Sequence, residues 1–353
     1  MTRAPSLLLV VGALALAACS DGSADTSSSP AGDPRAAAEA ACRRVTPVAE
    51  GVRPSVAATV APITSMVANV VGDLADVTGM VPEGTNSHTF EPPPSIAATL
   101  ERADVVFTNG LVLEEPTKDL AAAHLRGSAT LCELGTSVLA ADEYVYDFSF
   151  PREGGKPNPH LWTDPTLASE YVERIRDVMA ALDPAHADAY RANATAYLAR
   201  LGALDAAVRT ASATMTPQQR QLLTYHDAYA YFSRTYGWTV IGAIQPSSFD
   251  EPTAKEIAAL ISQVEESGVS AIFGSEVFPS PVLEQIGAET GVAYVDVLRD
   301  DDLPGEPGDA GHSFLGLMQF DYVTMVEALG GDASSILALD VSDVVPDNAE
   351  YPQ

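Results

Sequence analysis

The chain of 353 residues carries 48 acidic against 19 basic side chains, a formal charge of −29. Such a body is excluded as a nucleic-acid binder, because that task needs Lys and Arg to neutralise phosphates. The length exceeds what one small core needs and suits two lobes of ordinary size, while the negative field concentrates cations within about a Debye length.

Residues 1–18, MTRAPSLLLVVGALALAA, have a basic start at Arg3 and an apolar run from Leu7 to Ala18. The run is too short for a comfortable membrane span and reads as an export signal. Leu16-Ala17-Ala18-Cys19 has the form of a lipobox, the bacterial signal for cleavage before a cysteine that then receives lipid; the alternative is an ordinary signal peptide with a chance cysteine. Cleavage removes Arg3 and no acid, taking the charge to −30. Residues 19–50 begin with SDGSADTSSSPAGDP after the cysteine and are expected to form a flexible tether, so that the body stands outside the cytoplasm, anchored to the membrane by lipid. In that compartment Cys42 and Cys132 are candidates for a disulfide, and their spacing excludes a CxxC metal site.

From residue 51 short β-rich runs alternate with helical stretches. VAATVAPI (56–63) precedes a helical stretch over 65–79, and ADVVFTNG (103–110) precedes EEPTKDLAAAHL. SATLCEL (128–134) follows, then a loop rich in Gly and Pro that leads to His160. Residues 183–215 are alanine-rich, with Tyr190, Ala194, Tyr197, Leu201 and Leu204 at helical spacing, and predict one long connector helix. Beyond it QLLTYH (221–226), WTVIGAI (238–244), SAIFG (270–274) and VAYVDVL (292–298) are each followed by a helical stretch or, for the last, by an acidic loop and then a helix. The expected fold is α/β, with an N-terminal lobe over 51–182 and a C-terminal lobe over 216–353. Both carry mainly parallel sheets.

His88 stands in NSHTFEPPPS and His160 in NPHLWTDP, each in a proline-bounded loop ahead of a helix. His226 ends a strand and Asp300 stands just beyond another, where open α/β sheets bind ligands. Three imidazoles and a carboxylate suit Zn²⁺, and Mn²⁺ tolerates the same donors while preferring more oxygen. The prolines would lower the cost of aiming each ring. The positions lie 72, 66 and 74 residues apart, so no local metal motif such as HExxH is present. His124, His186 and His312 read as ordinary histidines. Asp164 reads as a helix cap before Pro165, Glu91 and Glu276 as non-ligands, and Tyr225, Tyr229, Tyr231 and Phe232 as core aromatics.

SHTFEPPPS, NPHLWTDP, TYHDAYAYFSRTYGW, IFGSEVFPSPVLEQIGAETGV and the tail from Asp300 through GDAGHSFLGLM occur in the order found in a known family. The chain resembles, from about residue 55 to 330, the substrate-binding lipoproteins of bacterial zinc and manganese ABC importers, the TroA-like or cluster A-I family. The resemblance implies two lobes on a backbone helix and a metal cleft between them, with His88, His160, His226 and Asp300 as ligands. It implies an ABC permease as partner and transport in place of catalysis. Manganese members often carry Glu at the third position, so His226 tilts the cargo to zinc. Asp301 and Asp302 adjoin Asp300, and a slip of register would change the fourth ligand. No His-rich collecting loop precedes His160, so metal would arrive directly or from a metallochaperone. A zinc hydrolase with Asp300 as general base is the rival from another class. Coordination needs neutral imidazoles, so capture is expected to weaken as pH falls through the ordinary imidazole range near 6.5.

Overall fold

A computed structural model describes Met1 and residues 33–225, 227–243, 253–275 and 280–352. Cys19, His226 and Glu276 lie outside the described residues. Residues Asp33–Gln353 form one compact unit.

In chain order the N-terminal half contains α1 (Pro34–Cys42), β1 (Ser55–Ala58), α2 (Ala61–Val71), β2 (Asp76–Gly79), α3 (Pro94–Arg102), β3 (Val105–Thr108), α4 (Glu115–His124), β4 (Thr130–Glu133), α5 (Leu134–Val138) and α6 (Pro165–Leu182). Helix α7 (Ala187–Ala213) follows. The C-terminal half contains β5 (Gln221–Thr224), α8 (Ala230–Tyr236), β6 (Thr239–Ala243), α9 (Ala254–Ser267), β7 (Ala271–Ser275), α10 (Pro281–Thr290), β8 (Ala293–Leu298), α11 (Phe314–Ala328) and α12 (Ser334–Leu337). Two four-stranded sheets result, ordered β2-β1-β3-β4 and β6-β5-β7-β8, and every strand pair within them is parallel. Parallel strands are covered on both faces, which is why Val105–Thr108 and Ala271–Ser275 are buried throughout.

The connector helix is α7, 27 residues long, which is roughly 40 Å at 1.5 Å per residue. Its buried stripe includes Tyr190, Ala194, Tyr197, Leu201 and Leu204. Helix α2 has no solvent face at all: each of its residues is buried, and it packs on α6, α7 and α11. A helix apolar nearly all round belongs inside a core. Its polar members are paired accordingly: Ser65 Oγ accepts from Phe314 N (3.0 Å), and Asn69 donates to Asp343 (2.8 Å) and accepts from Val344 N (2.9 Å). The segment after α12 continues back to the first sheet, where Glu350 N donates to the Val77 carbonyl and the Glu350 carbonyl accepts from Gly79 N, both in β2.

Two stretches differ from the sequence reading. The helical stretch expected over 65–79 ends at Val71, because Gly72 takes φ +55 and the chain then enters strand β2. The tether expected to run to residue 50 contains α1, capped by Asp33 and fixed to β4 by the Cys42–Cys132 disulfide (S–S 2.08 Å). Ala38 and Cys42 are the residues α1 buries, a short apolar edge that composition alone obscures.

Candidate metal centre

The loop between β2 and α3 carries His88. Asn86 Oδ1 accepts from His88 N (2.9 Å), an Asx turn that sets where the ring leaves the chain. Three prolines then run into α3, with Pro94 at its first turn. His160 is fully buried and follows Pro159. Its Nδ1 stands 2.9 Å from Asn158 Oδ1, which also accepts from His160 N. A carboxamide oxygen only accepts, so Nδ1 carries the proton and Nε2 presents a lone pair. Asn158 Nδ2 in turn donates to Asp147 Oδ2 and to the carbonyl of Asp227, next to His226. One buried amide thus orients His160 and ties its loop to the other half of the chain.

The Nε2 atoms of His88 and His160 face each other at 3.1 Å. Two nitrogens bound to one tetrahedral ion at 2.0–2.1 Å lie about 3.3 Å apart, so a small shift opens this pair to a shared metal. Phe150 packs against both rings, with centroids 5.5 Å from His88 and 5.7 Å from His160, and covers one side of the pair.

Asp300 stands at the end of β8 with φ +41, a left-handed conformation uncommon for a residue with a Cβ. Trp162, whose ring lies 5.1 Å from His160, donates its indole N–H to the Asp300 carbonyl (2.9 Å). On the other side Asp321, buried in α11, accepts from Arg299 N (3.0 Å), Asp300 N (3.1 Å) and Tyr229 Oη (2.8 Å). Burial pushes the Asp321 carboxyl up to about 7 against the pull of these bonds. Of the neighbouring acids, Asp302 accepts from Gly84 N (2.7 Å), and burial together with Asp300 and Asp302 raises Asp301 well above the usual carboxylate range.

The structure therefore brings His88 and His160 together and places the Asp300 backbone one side chain away, across Trp162. Among the described residues no three His, Cys, Asp or Glu side chains are grouped to hold a metal ion. Asp164 caps α6 by accepting from Thr166 N (2.9 Å). His124 pairs with Glu101 and His186 with Asp183, while His312 packs edge-on against Tyr351. Tyr229 and Tyr231 are buried as core aromatics, but their hydroxyls also fix loops: Tyr231 donates to the Asn158 carbonyl (3.0 Å). Asn158, Trp162 and Asp321 were not singled out from the sequence. The available signals were an Asn two residues before a loop histidine and a lone Asp within an apolar helix.

A family model described as the periplasmic zinc-uptake complex component A matches residues 56–328. The iron-binding protein YfeA of Yersinia pestis is 28% identical over 275 residues, 76% of this chain and 84% of that protein. The manganese-binding lipoprotein MntA of Halalkalibacterium halodurans is 28% identical over 261 residues, 74% and 83% of the two chains. Among solved structures, the periplasmic zinc-binding protein TroA of Treponema pallidum superposes with a TM-score of 0.72 at 26% identity, covering 79% of this chain and 99% of that one.

Proposed function

The chain belongs to the zinc-uptake component A family, metal-binding substrate-binding proteins of ABC transporters, and from that premise we propose that its cargo is Zn²⁺, held by His88, His160, His226 and Asp300. The family consists of binding proteins for transporters and not of enzymes, so the hydrolase reading is set aside. The observation that carries the ligand set is the Nε2–Nε2 approach of His88 and His160 at 3.1 Å, with the lone pair of His160 fixed by Asn158. Asp300 is favoured over Asp302 because Trp162, which packs on His160, holds the Asp300 carbonyl. Zinc is favoured because a set of three imidazoles and one carboxylate is nitrogen-rich and can close a four-coordinate shell.

The relatives are named for iron and for manganese, and the second reading is a manganese carrier on the same residues. Lipid at Cys19 would hold the protein at the outer face of the cell membrane, where a permease receives the ion; delivery of metal by a chaperone is compatible with the absence of a His-rich segment before His160. A competitive metal titration of residues 20–353 tests the reading, with His226→Ala and Asp300→Ala beside the wild type. One tight equivalent of zinc, weakened by both changes, is expected. Tighter retention of manganese than of zinc would overturn the metal, and indifference to Asp300→Ala would overturn the fourth ligand.

A further inference from the structure

Asp321 has no place in the proposed ligand set, yet its carboxylate gathers three donors from two different loops. Its Oδ1 takes the N–H of Arg299, and its Oδ2 takes both the N–H of Asp300 and the hydroxyl of Tyr229. The first two donors frame the left-handed turn at Asp300; the third stands three residues beyond His226. A carboxylate with no solvent exposure is costly to bury, and its retention inside α11, between Phe320 and Tyr322, calls for a reason beyond packing.

We propose that Asp321 is a positioning residue that sets metal preference, by fixing the backbone from which the Asp300 carboxylate projects and locking it to the loop of His226. The proposal rests on the four-ligand reading above. Its physical basis is the unequal tolerance of ions. Zn²⁺ has no geometric preference of its own and can be held by three imidazoles with water in the fourth position. Mn²⁺ prefers oxygen donors, so the placement of the one carboxylate in the set weighs more for it. Trp162 holds the Asp300 carbonyl from the opposite side, so the turn is clamped at both its N–H and its C=O. Backbone bonds at both ends also offset the cost of φ +41 at Asp300.

The test compares zinc and manganese affinities of wild type, Asp321→Asn, Tyr229→Phe and Asp300→Ala by chelator competition, with far-UV circular dichroism and thermal melting of each metal-free protein. Asp321→Asn keeps the shape but replaces one acceptor oxygen by a donor, so at least one of the three bonds is lost. Manganese affinity is expected to fall by roughly 10–100-fold, as for other groups that orient metal ligands, while zinc affinity falls by less. The zinc-to-manganese ratio is the readout, because a purely structural role would weaken both ions alike. Tyr229→Phe deletes a single hydroxyl and is expected to raise the zinc-to-manganese ratio as well, which keeps the test decisive if Asp321→Asn does not fold. Equal weakening of both ions, or an unchanged ratio in the variants that fold, overturns the proposal. If Asp300→Ala leaves the binding of both ions intact, the ligand reading itself has failed.

Discussion

The backbone N–H of Gly84 donates to Asp302 Oδ2 at 2.7 Å, joining the loop that carries His88 to the loop that carries Asp300. Leu303 N reaches Glu83 Oε1 at 3.4 Å beside it. The two halves are thus latched next to the proposed ligands. A hydrogen bond to a charged acceptor contributes about 1.5 kcal/mol at the low end of its range. Asp302→Ala is expected to weaken zinc binding about tenfold, mostly through faster release, with the stoichiometry unchanged. Stopped-flow release into a chelator measures this; an unchanged release rate would show that the latch does not govern escape.

Asn158 is expected to matter more than its distance from the ion suggests. It holds the tautomer of His160 and bridges to the carbonyl of Asp227. Asn158→Ala leaves Nδ1 of His160 without that acceptor and lets the proton move to the coordinating nitrogen. A loss of about 10–100-fold in metal affinity is expected. Titration of the variant beside His160→Ala checks it, and a wild-type affinity would refute the orienting role.

Glu114 predicts a pH dependence that has nothing to do with metal. It is buried, accepts from Thr59 Oγ1 (2.9 Å) and from the N–H groups of Asn109 (2.5 Å) and Gly110 (3.2 Å), and burial pushes its carboxyl from 4.5 up to about 7. These bonds close a turn in which Gly110, Leu111 and Val112 all have positive φ. Because the folded pKa is the higher one, the folded chain keeps a proton that the unfolded chain has released between these two values. Stability from this group is therefore greatest below 4.5 and declines as pH rises towards 7, by about 3 kcal/mol. Urea unfolding of the metal-free protein from pH 5 to 8 should show a shallower decline in Glu114→Gln than in wild type. Parallel curves would remove Glu114 as the cause.

The disulfide between Cys42 and Cys132 spans 90 residues, which in the chain-entropy model corresponds to about 4–5 kcal/mol as an upper value. Replacing both by Ala is expected to lower the melting temperature by several degrees and to leave zinc affinity within about twofold. A matching loss of affinity would mean that the staple shapes the cleft.

The alternation of strand and helix was legible because buried parallel strands are short apolar runs, as at 105–108 and 271–275, and the stripe of α7 repeats at helical spacing. Strand β2 was hidden because Gly72 is a single residue between two apolar stretches, and periodicity across 65–79 does not mark the break. The histidines were visible through their prolines and their place ahead of helices. What binds them was not: Asn158 acts on a neighbour two residues on, but Asp321 acts on residues 21 and 92 positions away, and only folding makes those separations short.

The segment 340–352 changes how this protein should be handled at the bench. It leaves the C-terminal half, grips Asn69 of α2, pairs at Glu350 with the edge of the first sheet, and the carbonyl of Pro352 accepts from Glu83 N (3.3 Å). Glu83 stands in the loop that carries His88. A reporter fused directly behind this segment would tug on the very turn that aims an imidazole, and a trimmed variant stopping near residue 339 would release it. Purification handles and fluorophores belong ahead of residue 33, or behind a long spacer, if measured affinities are to describe the protein itself.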